Sequence, residues 1–137
     1  MRKEIIKTDN ITIINDAYNA CEDSIIAAIE LLELAESRKV AVLGDILEAG
    51  EHNKRVHHSV GQRAGGKNVD IIICCGEQSL HTFNGVKENS QKRSYYFEDK
   101  EKMQKELDKI IKNGDTVLVK ASRGCRFEET VEYLRTL

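Results

Sequence analysis

The chain has 137 residues, of which 40% are hydrophobic and 32% charged, the make-up of an ordinary globular protein. Its 21 Lys and Arg stand against 23 Asp and Glu, and a formal net charge of −2 gives no electrostatic basis for a nucleic-acid partner. No apolar run approaches the roughly 20 residues of a membrane span, and Met1-Arg2-Lys3 leads into no signal-peptide core, so a cytoplasmic setting is expected. A single domain over 1–137 is expected too, because this length buries about two-thirds of the unfolded surface in one core.

Two short β-branched runs, 4–7 and 11–15, are separated only by Thr8-Asp9-Asn10. That spacing suits a hairpin, so one edge strand should run antiparallel. A helix is predicted over 24–36, where Ile25, Ala28, Ile29 and Leu32 follow the i, i+3, i+4, i+7 spacing of one buried face. Glu22 and Asp23 precede it, placed to satisfy free N–H groups and the positive end of the dipole. A strand at 39–43 and a weaker helix at 53–64, carrying Val56 and Val60, come next; His57-His58 read as helix-surface residues. The run VDIIICC predicts a strand over 69–75, with a short helix after Gln78.

A strand at 94–97 leads into a helix at 100–112 with Met103, Leu107, Ile110 and Ile111 on its buried face. Asp99 is its candidate cap and Gly114 its stop, while Glu101 with Lys105 and Asp108 with Lys112 sit one turn apart. The strand 116–120 precedes a last helix, 126–135, burying Phe127, Val131 and Leu134. Strands alternating with helices define an α/β fold with a largely parallel sheet. Apolar residues at consecutive positions, as in TVLVK, fit strands covered on both faces.

Four cysteines occur, at 21, 74, 75 and 125, with no CxxC pair and no zinc spacing with the four histidines. They read as buried thiols, Cys74 and Cys75 pointing to opposite faces of a strand, and no metal site is expected. Proline is absent where average usage of about 5% would supply roughly seven, which argues against a Pro-rich linker.

In open parallel sheets ligands bind at the carboxyl ends of the strands, where loops and helix N-termini converge. The residues there are Asp16-Ala17-Tyr18-Asn19, Gly44-Asp45, Gly76-Glu77, Glu98-Asp99 and Ala121-Ser122-Arg123-Gly124, with Lys120 ending its strand. Carboxylates, a lysine, an arginine and glycines on one edge suit a phosphorylated or carboxylate-bearing ligand. The plainer alternative has Asp16 and Asp45 capping turns and Lys120 solvated. No GxxxxGK[ST] or GxGxxG follows a strand, so a nucleotide would be touched rather than cradled; GQRAGG at 61–66 lies inside or after a helix.

Five strings in order, ITIINDAYNACEDS, VAVLGDILEAGEHNKRVHHSVG, IIICCGEQS, SYYFEDKEKM and GDTVLVKASRGCRFEETVEYL, resemble the carboxy-terminal domain of the Mur ligases, of the MurF type. The resemblance runs from Arg2 to Leu134. It implies a Rossmann-like three-layer sandwich, with about six mostly parallel strands and one antiparallel edge. It also implies an ATP-dependent amide ligase of peptidoglycan synthesis that joins D-alanyl-D-alanine to a UDP-N-acetylmuramoyl-tripeptide through an acyl phosphate. In that family an amino-terminal domain holds the UDP end, and a central domain holds the phosphate loop, magnesium and most of the ATP; neither is encoded in these residues. They are the expected partners, and the isolated domain is expected to be inactive.

Carried over by matching positions, Arg2, Asp16, Tyr18 and Asn19 become nucleotide-binding candidates, Arg2 facing ATP phosphates and ribose and Asp16 accepting from ribose hydroxyls. Gly44, Asp45, Lys120, Ser122 and Arg123 become the pocket for the incoming amine, a cation holding its carboxylate and Asp45 its ammonium. His57 matches a structural helix position, and Glu48 and Glu51 a solvated loop. Cys21-Glu22 stands where the family has asparagine-proline, and Ala121 where it has glycine. These departures leave open a relative with a different amine substrate. Two other readings compete: a receiver-like phosphoacceptor domain using Asp16, Asp45 and Lys120, and a non-catalytic interaction module.

Overall fold

Strands and helices alternate along residues 3–137, the part of the chain that the computed structural model describes. In chain order they are β1 (Glu4–Lys7), β2 (Thr12–Asp16), α1 (Glu22–Leu32), β3 (Lys39–Leu43), α2 (Asn53–Gly65), β4 (Ile71–Cys75), α3 (Ser79–Asn89), β5 (Arg93–Phe97), α4 (Lys100–Ile110), β6 (Thr116–Lys120) and α5 (Glu128–Arg135). All six strands join one sheet in the order β1-β2-β6-β3-β4-β5. β1 is antiparallel to β2, and every other pairing is parallel. This is the expected α/β, Rossmann-like sandwich with one antiparallel edge.

The sheet is buried on both sides, which explains its unbroken apolar strands. One face presents Ile13, Val42, Ile73, Cys75 and Val119 to α4 and α5, through Met103, Leu107, Phe127 and Leu134. The other presents Ile14, Ala41, Ile72, Cys74 and Leu118 to α1, α2 and α3, through Ile25, Ile29, Leu32, Val60 and Val86. Cys74 and Cys75 thus enter opposite cores, as strand alternation requires. Burial pushes the Cys75 thiol up to about 12 and the Cys74 thiol higher still. The expectation of buried thiols fails at Cys21, which is exposed, and Cys125 is only half-buried.

Several boundaries differ from expectation for local reasons. α1 stops at Leu32 rather than 36, because its apolar face ends there; the next Leu, Leu34, is exposed. Its first turn is closed by Ser24, whose Oγ accepts from the Cys21 amide at 2.9 Å. Glu22, expected to serve that turn, instead faces α2, accepting from Ser59 Oγ at 2.6 Å and Arg63 at 2.9 Å. α4 begins as predicted, with Asp99 Oδ1 accepting from the Lys102 amide at 2.9 Å, but Ile111 leaves it in extended backbone. The ion pairs along it are Lys102 with Glu98 and Lys109 with Glu106, not the two predicted.

The short helix after Gln78 is a full 11-residue α3. Its sequence is weakly apolar, and it is held by close approach to α2. A Cβ on Gly61 would run into the Thr82 carbonyl, and one on Gly85 into the His58 carbonyl. Gly61, which opens GQRAGG, therefore serves helix packing.

At the amino ends of the strands, Arg38 clamps the buried Asp115 with two hydrogen bonds of 2.9 and 2.8 Å and caps the Ile110 carbonyl at 2.6 Å. That clamp ties the start of β3 to the end of α4 and the approach to β6. No helix among the described residues is long and apolar enough to cross a membrane.

Candidate functional site

Parallel register sets Asp16, the last residue of β2, beside Lys120, the last of β6, and Lys120 beside Leu43 of β3. Central strands bury both charged side chains: Asp16 is 2% exposed and Lys120 3%. The Lys120 ammonium lies 3.1 Å from Asp16 Oδ2 and donates to the Asn19 carbonyl at 2.7 Å. Lys3 stands 4.0 Å from the same carboxylate oxygen. The other oxygen, Oδ1, is buried with no hydrogen-bond partner among the described residues. Buried polar atoms are nearly always satisfied, so an orphaned carboxylate oxygen at a strand end calls for a donor from outside. A ribose diol is a donor of the right kind.

The loop after β2 is shaped by its own asparagines. Asn15 Oδ1 accepts from the Ala17 amide at 3.2 Å and Asn19 Oδ1 from the Ala20 amide at 2.9 Å. Tyr18 projects from this loop, and the exposed Arg123 guanidinium lies 5.0 Å from its ring centroid and 3.4 Å from its hydroxyl. Stacking of this sort suits the planar guanidinium. Asp16, Lys120 and Asn19 therefore form one connected group, and Tyr18 with Arg123 a second, adjoining it in the chain at Tyr18-Asn19. The nucleotide and amine sets carried over from the resemblance are not spatially separate; Lys120 is joined to Asp16 and Asn19.

Gly44, Asp45 and Ser122 hold the loops in place. Gly44 donates to the Lys120 carbonyl at 2.9 Å, and a Cβ there would lie 2.6 Å from that of Ala121. Ala121 is itself wholly buried, so its methyl occupies the core beside Gly44 rather than the site. Asp45 Oδ1 accepts both the amide and the hydroxyl of Ser79, at 2.8 and 2.7 Å, and so starts α3. Ser122 links the two loops, donating its amide to Asp45 O at 3.0 Å and accepting from the Leu47 amide at 2.9 Å. A receiver-like phosphoacceptor needs an open carboxylate, and this one is committed to a helix start. Arg2 lies outside the described residues.

Three contributors escaped the sequence reading. His57, placed on the helix surface by the sequence pattern and at a structural helix position by the resemblance, is 1% exposed. Its Nδ1 donates to the Asn53 carbonyl at 2.8 Å and its Nε2 accepts from the Ile46 amide at 3.0 Å, tying α2 to the loop after β3. Burial pushes its pKa below the ordinary value, which preserves the neutral ring this pairing needs. Lys100 reaches the Cys125 and Arg126 carbonyls, both at 2.9 Å, and Glu129 at 2.6 Å, fixing the loop that carries Arg123. Within that loop Arg126 takes a left-handed φ of 58°. Lys3 is the third, and its place next to the antiparallel edge strand gave the only hint.

Residues 1–123 match the model of the Mur ligase glutamate ligase domain. The chain belongs to the Mur ligase family. This Mur ligase domain is 39% identical over 139 residues to the UDP-N-acetylmuramoyl-tripeptide--D-alanyl-D-alanine ligase of Bacillus subtilis, covering 98% of the chain and 30% of that relative. Against the ligase of the same name from Escherichia coli the identity is 32%, over 93% of the chain and 27% of the relative. A crystal structure of MurF ligase from Thermotoga maritima in complex with ADP superposes with a TM-score of 0.80 at 29% identity, over 97% of this chain and 30% of that one. The Mur ligase domain is thus of the MurF type and spans under a third of these relatives' length.

Proposed function

We propose that this Mur ligase domain is the closing domain of an ATP-dependent amide ligase that adds D-alanyl-D-alanine to UDP-N-acetylmuramoyl-tripeptide in peptidoglycan synthesis, acting in the cytoplasm. In that reaction the peptide carboxylate is activated as an acyl phosphate at the expense of ATP, and the dipeptide amine displaces phosphate. The single observation that carries the reading is the buried, unpartnered Asp16 Oδ1 beside the Lys120 ammonium. Asp16 accepts from the ribose hydroxyls. Lys120 balances the Asp16 charge and holds the Asn19 carbonyl, keeping the loop open to the nucleotide. Arg123, exposed at the end of its loop, is the cation that meets the dipeptide carboxylate, with Tyr18 fixing its plane. Arg2 is assigned to the phosphates on the resemblance alone.

Magnesium travels with ATP and belongs to the central domain. The described residues bring no three His, Cys, Asp or Glu side chains together as metal ligands. The amino-terminal and central domains are the partners on which this domain closes. Alone, residues 1–137 should show no ATP-dependent ligation; submicromolar ATP affinity at the Asp16 site in calorimetry would contradict a closing role.

The decisive experiment grafts these 137 residues in place of the matching third of the Bacillus subtilis ligase and follows phosphate release with tripeptide precursor and D-alanyl-D-alanine. Asp16→Ala in the active graft should lower kcat/KM about 10- to 100-fold, the worth of hydrogen bonds to a charged acceptor. Unchanged turnover in that variant would remove the nucleotide role.

A further inference from the structure

The sheet ends at β5, and α4 leaves that end half covered. Because α4 connects edge strand β5 to central β6, it passes over β4 and β3, with Met103, Leu107 and Ile110 in the core beneath it. Beside it lies an open trough of about 580 Å³, lined by Tyr95 and Phe97 of β5 and by the flank of α4. Two strands separate β5 from β6, which sets the trough about three strand spacings, ~14 Å, from Lys120.

Cations outnumber carboxylates in its lining, and aromatic rings stand beside them. Arg93, Lys102, Lys105 and Lys109 line it against one carboxylate, Glu106, on a chain whose net charge is −2. The three lysines recur at i, i+3 and i+7, a row about 10 Å long on one flank of α4. Opposite them Arg93, Tyr95 and Phe97 project from the same side of β5. The Arg93 guanidinium lies 5.9 Å from the Tyr95 centroid and donates to its hydroxyl at 2.9 Å. The Tyr95 and Phe97 rings are parallel within 7°, their centroids 6.4 Å apart. Lys102 and Lys109 pair only with exposed carboxylates, at 3.3 and 3.7 Å, contacts that a denser anion displaces. Lys105 and Arg93 form no ion pair among the described residues.

We propose that this trough binds a nucleoside polyphosphate, separately from the strand-end site. Aromatic rings and a guanidinium on one wall take a flat base, and a row of ammonium groups on the other takes successive phosphates. An inorganic anion would leave the rings unused. The volume falls within the roughly 300–1,000 Å³ of small-ligand sites.

The test is an NMR titration of the 137-residue chain with ATP, inorganic tripolyphosphate and adenosine, following backbone amides. ATP should shift the resonances of β5 and of residues 102–109, saturating below about 1 mM. Tripolyphosphate and adenosine should each bind at least about tenfold more weakly. Paired charge reversal, K105E with K109E, should weaken ATP in the trough at least about tenfold. Both positions are on the solvent side of α4, and far-UV circular dichroism verifies that the variant is folded. Asp16→Asn should leave the trough shifts unchanged, so this site and the strand-end site stand or fall separately. Shifts confined to the loop after β2, equal binding of tripolyphosphate and ATP, or full affinity in the charge-reversed variant would each overturn the proposal.

Discussion

Replacing Lys120 with methionine tests whether the strand-end site is built around a charge pair or merely decorated by one. Asp16 and Lys120 have side chains 3% and 4% exposed, and among the described residues Lys120 Nζ is the nearest cation to Asp16, 3.1 Å away against 4.0 Å for Lys3. Methionine keeps the length of the stem but leaves a buried carboxylate with one oxygen already unpartnered. Removing one member of a buried pair costs about 3–5 kcal/mol, a large share of the ~5–15 kcal/mol that holds a domain together. Asp16→Asn should cost less, about 1–3 kcal/mol, because Lys120 keeps its hydrogen bond to the Asn19 carbonyl and a polar oxygen stays beside it. The double variant removes both charges and should recover part of the loss, giving a coupling of about 2 kcal/mol in the cycle. Urea unfolding followed by circular dichroism reads all four proteins. A Lys120→Met protein within 1 kcal/mol of the parent, or a cycle with no coupling, would refute the account of a pair buried by its central strands.

His57 makes the fold sensitive to acid. Its folded-state pKa lies below the ordinary 6.5, so the unfolded chain takes up the proton first as pH falls. The contribution is complete above about pH 6.5 and is lost below it; urea midpoints at pH 7.5 and pH 5 should therefore separate more in the parent than in His57→Gln, and equal separations would sink the assignment. The close helix pair gives a second check. Gly61→Ala ought to gain up to about 1 kcal/mol of helix propensity yet lose more by driving a methyl into the Thr82 carbonyl, a net destabilisation of about 1–3 kcal/mol. A thermal midpoint at or above the parent's would show that α2 and α3 are not in backbone contact.

The strands were legible because parallel sheets covered on both faces leave the plainest mark, runs of β-branched residues such as those of β4 and β6. α3 was underread for the converse reason. It is secured by the absence of side chains at Gly61 and Gly85, and periodicity counts side chains that are present. The same difference in kind runs through the site. Asp16 and Lys120 were picked out because strand ends are a positional rule, and the register of β2 with β6 then makes them neighbours. Nothing in the sequence reports that register, so the two were assigned to different ligands when they share one ion pair. Asp45, equally prominent at a strand end, is committed to Ser79, a partner 34 residues away that only the fold reveals.

That contrast separates the strand-end carboxylates by function. A residue such as Asp45 or Asp115, whose oxygens meet amides, a hydroxyl or a guanidinium within the chain, is part of the scaffold. Asp16 is as deeply buried as Asp115, each 2% exposed, yet one of its oxygens is left without a donor. Burial with incomplete hydrogen bonding costs stability; Asn53 Oδ1 and Ser94 Oγ share that state, but they are neutral, and the cost is greater for an oxygen of a carboxylate. On the proposed function the donor that completes Asp16 comes from a ligand, and the Lys120 ammonium, 3.1 Å from the other oxygen, holds that carboxylate in place.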